Sequence, residues 1–468
     1  MPRVAALALL FLLLFCACKK SDDGGPAASG PLPGDIAVNV TVDVATPGQS
    51  IAPAFTGLSY EMSALKNSGY FDAGNSVFVN LIKGLGNGLL RIGGNSADRI
   101  GTPRTGDIDR TFGFAAATGW KVMFALDLGD DSLSAAVEEA RYLYSKYASQ
   151  LECLEIGNEP DLYRTNGLRD STYSYPDFRR EFDRYYDSIR AAVPGAVISG
   201  PADGANTNAW TVPFAKEEKG RIKWLTQHYY KMGPPSSPTV TVDRLLNGNM
   251  GILSQAETMR AAVKINGLPG YRISECNSVF GGGKMGVSNT LGSALWGLDY
   301  MYTLAEQGAV GVNFHGGGAG AYTPIAYSNG TFSARPLYYG MLLFAQAGNG
   351  RILNADVRGA DSIRLSVHVL SGDDTKSLRG VRMILINRDH SSAAWVTVPG
   401  GIIPLLGADV LRLTGPGSTD STGGVTLGGA TVDGQGNWHA ATIEHAVLHA
   451  NECMIRVPAG SAALVKFY

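Results

Sequence analysis

The feature that most constrains this chain is a change of period. From Phe55 to about Gly350, short apolar runs alternate with stretches whose apolar residues recur at i, i+3 and i+4; beyond Gly350 the pattern becomes apolar-polar alternation. Eight runs of the first kind stand out: Thr56–Tyr60, Gly88–Ile92, Lys121–Leu126, Glu152–Ile156, Ala196–Gly200, Ile222–His228, Tyr271–Ser274 and Ala309–Phe314. Helical stretches lie between them, among them Leu133–Ser149, Pro176–Val193, Ile252–Asn266 and Asn289–Gln307, and Ser132 is placed to cap the first of these. Eight strands joined by helices close into an α/β fold, the (β/α)8 barrel, which carries its reactive side chains at the C-terminal ends of its strands. The later runs, Ser362–Leu370, Val381–Asn387, Ala394–Val398 and Ala462–Tyr468, predict an all-β sandwich over 351–468. Asp35–Val44 alternates in the same way, so 35–54 is expected to cross over and join that sandwich, leaving 55–350 as the barrel.

A length of 468 residues, 45% of them hydrophobic, suits one large domain and a smaller companion. The net charge of −2 and the scattered Lys and Arg form no basic stripe, which argues against nucleic acid as a partner. At the start, Arg3 and the apolar run Val4–Phe15 read as an export signal too short to span a bilayer. Ala17-Cys18 followed by Lys19-Lys20-Ser21 resembles a bacterial lipoprotein processing site. On that reading 1–18 is a signal peptide, 19–34 a flexible tether, and a lipid on Cys18 holds the protein to the membrane of the cell envelope; ordinary cleavage and free secretion is the alternative. Only Cys153, Cys276 and Cys453 follow, too few and too far apart for a disulfide framework. No Cys-x-x-Cys or paired-His motif offers a metal site, and nothing in the sequence calls for a cofactor.

The fourth apolar run leads into Gly157-Asn158-Glu159-Pro160, which places Glu159 in the bowl above the barrel with Pro160 ending the ladder. The seventh, Tyr271-Arg272-Ile273-Ser274-Glu275, places a second carboxylate at a matching strand end, three βα units of about 39 residues further on. Strands four and seven face each other across the mouth. Two carboxyl groups about 5 Å apart are what a retaining glycosidase requires, one as nucleophile and one as acid and base. Asn158 is positioned to bond a sugar 2-hydroxyl, which assigns acid/base work to Glu159 and nucleophilic attack to Glu275.

At these residues the chain resembles clan A glycoside hydrolases. The longer strings Arg91-Ile92-Gly93-Gly94-Asn95-Ser96-Ala97-Asp98, Ile156 to Tyr163 and Asn313-Phe314-His315-Gly316-Gly317 look like glycoside hydrolase family 79, which includes β-glucuronidases and heparanase-like enzymes. The resemblance implies cleavage of a β-linked glucuronic acid, and implies that Tyr322 binds its carboxylate. Gly281, Gly282 and Gly283 offer closely spaced N–H groups for the same anion, with Lys284 to balance its charge; a plain flexible loop is the other reading. Phe280 stands where related glucuronidases carry Tyr. Asp98 is placed either to take the 4-hydroxyl or to pair with Arg91 or Arg99. Tyr230 either orients Glu275 or packs beneath the sugar, Glu61 is a further sugar ligand, and His228 and His315 are supports rather than proton carriers. The expectation is an exo-acting retaining β-glucuronidase. A heparanase-like endo-enzyme, a clan A glycosidase for another sugar, and a non-catalytic sugar-binding surface lipoprotein are the alternatives.

Overall fold

The structure, a computed structural model, describes residues 30–372, 376–401, 405–446 and 448–468. The expected signal peptide, Cys18 and most of the tether lie outside the described residues.

Strand β1 (Ile36–Asp43) precedes the barrel, whose staves are β2 (Thr56–Glu61), β3 (Gly88–Gly93), β4 (Lys121–Leu126), β5 (Leu151–Ile156), β6 (Ile198–Asp203), β7 (Leu225–Met232), β8 (Tyr271–Val279) and β9 (Gly311–Gly316). All eight pair in parallel, and β9 closes on β2. Helices cover the outer face while side chains fill the interior, so a stave such as β3 or β9 is buried at every position, polar residues included. The surface helices show the opposite economy. Tyr175–Ala192 buries Phe178, Phe182, Tyr185 and Ile189 on one stripe, and Ser174 with Asp177 closes a reciprocal cap at its start. Ser132 does occupy the N-cap of Leu133–Tyr147, but its side chain caps nothing.

Two helices have no polar face. Leu291–Glu306 is buried from Leu291 to Ala305, and Pro336–Ala347 nearly so, because they are enclosed between the barrel and the second domain. That domain is an eleven-stranded sheet curled on itself. Its two halves enclose one core that includes Val38, Val40, Val396, Ile455 and Val465. Strand β1 lies between Ile352–Arg358, antiparallel, and Ala394–Pro399, parallel. Both ends of the polypeptide outside the barrel therefore share one sheet.

The domains are joined by buried charges as well as by apolar contact. His368 on the sheet lies 3.1 Å from Asp299 and 2.6 Å from Glu306, both on the enclosed helix, and Arg388 lies 3.3 Å from Asp299. Burial alone would depress the imidazole, but the two carboxylates beside it push it up to about 10.

Candidate active site

Strand β8 runs five residues past the expected end at Ser274, since Cys276, Asn277 and Val279 continue to pair with β7. Glu275 is thus inside a stave rather than after one. The register with β7 slips there: Gln227 faces Ile273 but His228 faces Glu275, leaving Ser274 as the extra residue of a bulge. A bulge resets the in-out alternation, and this one lets Glu275 face the barrel axis. Glu159 arrives differently. It follows β5 in a left-handed conformation, φ 51° and ψ 54°, with Pro160 opening a short 3-10 turn behind it. Its amide donates to the Ala202 carbonyl at 2.9 Å, which ties the strained turn to β6.

These two routes bring the carboxylates together. One oxygen of Glu159, one of Glu275 and a ring nitrogen of His228 all lie within 4.8 Å of one another. His228 Nδ1 is 2.9 Å from Glu159 Oε1, and the Tyr230 hydroxyl donates to Glu275 Oε1 at 2.7 Å. Of its two expected roles, the structure shows Tyr230 orienting Glu275. The same trio is a conceivable metal-ligand set, but both Glu275 oxygens already accept hydrogen bonds, one of them from a guanidinium. That guanidinium supplies the positive charge a metal would bring.

The guanidinium belongs to Arg91, which is wholly buried on β3. It donates to Glu275 Oε2 at 2.8 Å, Glu155 Oε2 at 2.6 Å, Asn158 Oδ1 at 2.9 Å and Ser59 Oγ at 3.1 Å. Burial would raise the Glu275 carboxyl, but His315, His228, Arg91 and the Tyr230 hydrogen bond together hold it well below the ordinary range, at about 2. Glu275 is fixed as an anion. With its oxygen held, Asn158 keeps a buried Nδ2 that has no partner among the described residues and is left as a free donor. Sequence reasoning gave Arg91 and Glu155 no role here, although a charge inside a run as buried as β3 or β5 was the signal for them.

Asp98 requires correction. It neither faces a sugar nor pairs with Arg91 or Arg99; it is 1% exposed and accepts from the amides of Leu128, Gly129 and Asn158 and from the Tyr163 hydroxyl. Burial pushes it up to about 6, against those bonds. Its work is to tie the loops after β3, β4 and β5 under Asn158. Lys284 is corrected as well: its ammonium donates to the carbonyls of Ser237 and Val240 at 3.2 and 2.9 Å, away from direct contact with an anion. Glu61 is braced by the Ser96 amide at 2.8 Å and by His315 at 3.6 Å, with a third of its side chain open to solvent. His315 also reaches Ser59 at 3.0 Å and Glu275 at 3.4 Å.

Tyr322 and the glycines adjoin this centre. The Tyr322 ring lies 6.2 Å from that of Tyr230 and 6.0 Å from that of His315, and its amide donates to the Gly282 carbonyl. Gly281, Gly282 and Gly283 all have positive φ, and none of their amides donates to an acceptor among the described residues. Three consecutive N–H groups are thus left unused next to the Tyr322 loop. Phe280 lies over Gly233 with 45% of its surface exposed at the rim.

A barrel of this form with facing carboxylates at β5 and β8 defines the class: this is the architecture of the glycoside hydrolases. No protein-family model matches the chain. A protein named β-glucuronidase from Aspergillus niger is 28% identical over 47% of the chain, and one from Neurospora crassa is 25% identical over 66%. Heparanase from Bos taurus is 26% identical over 56%. The matches span 43%, 66% and 49% of those relatives, less than two thirds of each. Among solved structures, a 4-O-α-L-rhamnosyl-β-D-glucuronidase from Fusarium oxysporum aligns over 92% of this chain and all of its own, with TM-score 0.72 at 21% identity. A family 51 arabinofuranosidase from Xanthomonas axonopodis pv. citri aligns over 93%, with TM-score 0.67. Within the class, the chain is β-glucuronidase-like and similar to glycoside hydrolase family 79.

Proposed function

We propose that this protein is an exo-acting retaining β-glucuronidase that releases terminal β-linked glucuronic acid by double displacement. The observation that carries the reading is the approach of a Glu159 oxygen and a Glu275 oxygen to within 4.8 Å. That spacing matches the about 5 Å of retaining enzymes and is too short for the intervening water of inverting ones. Glu275, kept ionised, attacks the anomeric carbon, and Glu159 gives its proton to the departing glycosidic oxygen. Water then adds to the glycosyl-enzyme ester as Glu159 takes its proton, which releases the sugar and restores both carboxyl groups. The free Nδ2 of Asn158 suits the sugar 2-hydroxyl, a contact that strengthens in the transition state. The names of the Aspergillus and Neurospora relatives and the glycine cradle support a uronic acid at this position.

The purified enzyme is expected to release the aglycone from an aryl β-glucuronide, and Glu275→Gln to reduce this at least about a thousandfold, as loss of a covalent nucleophile does. Full activity in that variant refutes the assignment. The bovine heparanase match favours a second reading, endo cleavage, which mid-chain fragments from a uronate-containing polymer would establish. We also propose that the protein is exported and held to the cell envelope by a lipid on Cys18; Cys18→Ser should then move it from the membrane fraction to the soluble one, and an unchanged distribution excludes the anchor.

A further inference from the structure

We infer that Glu155 is the standing counter-ion of Arg91, a positioning residue that lets Glu275 surrender its negative charge to a sugar; the inference rests on the retaining reading above. Glu155 is wholly buried on β5, and Arg91 Nε donates to its Oε2 at 2.6 Å. Its other oxygen, also buried, has no partner among the described residues. The same guanidinium donates from Nη1 to Glu275 Oε2 at 2.8 Å. One cation therefore stands between two buried carboxylates, of which only Glu275 takes part in the chemistry. His315 on β9 and His228 on β7 also face Glu275, and Glu61 on β2 faces His315, but among the described residues none of these groups is bonded to Glu155.

Hydrogen bonding alone does not call for a carboxylate at this place. Arg272, also wholly buried in the barrel, is held at Nε by the amide oxygen of Asn313 and at its other nitrogens by the carbonyls of Ala54, Phe55, Val310 and Val312. An amide at position 155 would satisfy Arg91 Nε in the same way. A second carboxylate beside one guanidinium is a costlier thing to bury, and the reaction supplies the reason for it. When Glu275 attacks the anomeric carbon, its carboxylate becomes a neutral ester. Without Glu155, Arg91 would then be a buried cation with no anion; with it, the guanidinium stays paired through the covalent stage. In the free enzyme Glu155 also divides the pull of Arg91, which leaves Glu275 a less stabilised and more nucleophilic anion. Both effects favour forming the glycosyl-enzyme and oppose breaking it.

A 2-deoxy-2-fluoro-β-glucuronyl fluoride separates the two half-reactions. Glu275 displaces fluoride, a leaving group that needs no proton, and forms the ester; water then adds to the anomeric carbon, gives a proton to Glu159 and frees the Glu275 carboxylate. The missing 2-hydroxyl takes Asn158 out of the comparison. Glu155→Gln, which keeps an acceptor for Arg91 Nε, is expected to slow fluoride release about tenfold and to speed reactivation of the trapped enzyme about tenfold, the scale of one charge removed from a buried site. Glu155→Asp, which draws the charge back from the guanidinium, should change both rates in the same opposed directions by less, and it carries the test if Glu155→Gln does not fold. Changes in the same direction, or either step left unaltered, overturn the inference and reduce Glu155 to a hydrogen-bond partner. A wild-type enzyme on which the fluoride leaves no covalent adduct at Glu275 overturns the retaining reading itself, and this inference with it.

Discussion

Arg91 engages four side chains at once, and the chemistry assigned to Glu275 depends on that engagement. Its neighbours divide into the groups it orients, Asn158 and Ser59, and the charges it balances, Glu155 and Glu275. Replacing it by Met leaves Glu155 buried with no counter-ion, a change that costs about 3–5 kcal/mol of stability. The same replacement shifts the pH dependence in a known direction. Glu275 is held low partly by this guanidinium, so without it the carboxyl titrates at higher pH. The acidic limb of the kcat/KM profile for Arg91→Met should therefore move upward, as a pH series on an aryl glucuronide would measure. A limb that stays in place or moves down would remove Arg91 from the account. At this scale the sequence pointed to Glu159, Glu275 and Asn158 through their positions around strand ends, and to Tyr322 through the family resemblance alone. It misplaced Asp98, because an acidic residue in a rim motif reads alike whether its oxygens meet a sugar or three backbone amides.

The elements that matter most are the two that deliver the carboxylates and the loop after β8. Strand β8 looked shorter in the sequence than it is, since Ser274, Glu275 and Asn277 are polar and polar residues at the mouth of a barrel resemble the start of a loop. The bulge at Ser274 leaves no local mark, being defined by its partner strand. The glycine loop, by contrast, was legible as an anion cradle or a flexible connection, and its contacts offer a way to test the two. Gly283 has φ +84°, and a Cβ there would come within 2.6 Å of the Tyr322 amide. Gly283→Ala should thus push Tyr322 away from the pocket and strain the backbone at a cost of about 1–3 kcal/mol. The expected result in steady-state kinetics is a KM for the glucuronide raised about tenfold or more with a smaller change in kcat, since a group that binds the substrate away from the reacting bond is displaced. An unaltered KM would show that the loop is a connection only.

For the whole molecule, the switch of period near Gly350 was enough to divide barrel from sandwich, because closed parallel sheets and exposed antiparallel ones bury their residues differently. The order of the sheet was not readable. That β1 lies between Ile352–Arg358 and Ala394–Pro399 is a pairing across more than three hundred residues, fixed by the finished fold rather than by any neighbour in sequence. The enclosed helix Leu291–Glu306 shows the same limit: nothing around Asp299 in the sequence marks it as the residue that anchors His368 and Arg388 of the other domain. This docking holds together the side of the barrel from which the loop after β8 departs, and with it the frame on which Glu275 meets Glu159. The stereochemistry of the product reads that meeting most directly. Proton NMR of aryl β-glucuronide hydrolysis, followed from the first minutes, should show the β-anomer of glucuronic acid forming first and the α-anomer arising only later by mutarotation. Initial release of the α-anomer would mean a single displacement by water, which carboxylates this close together do not accommodate.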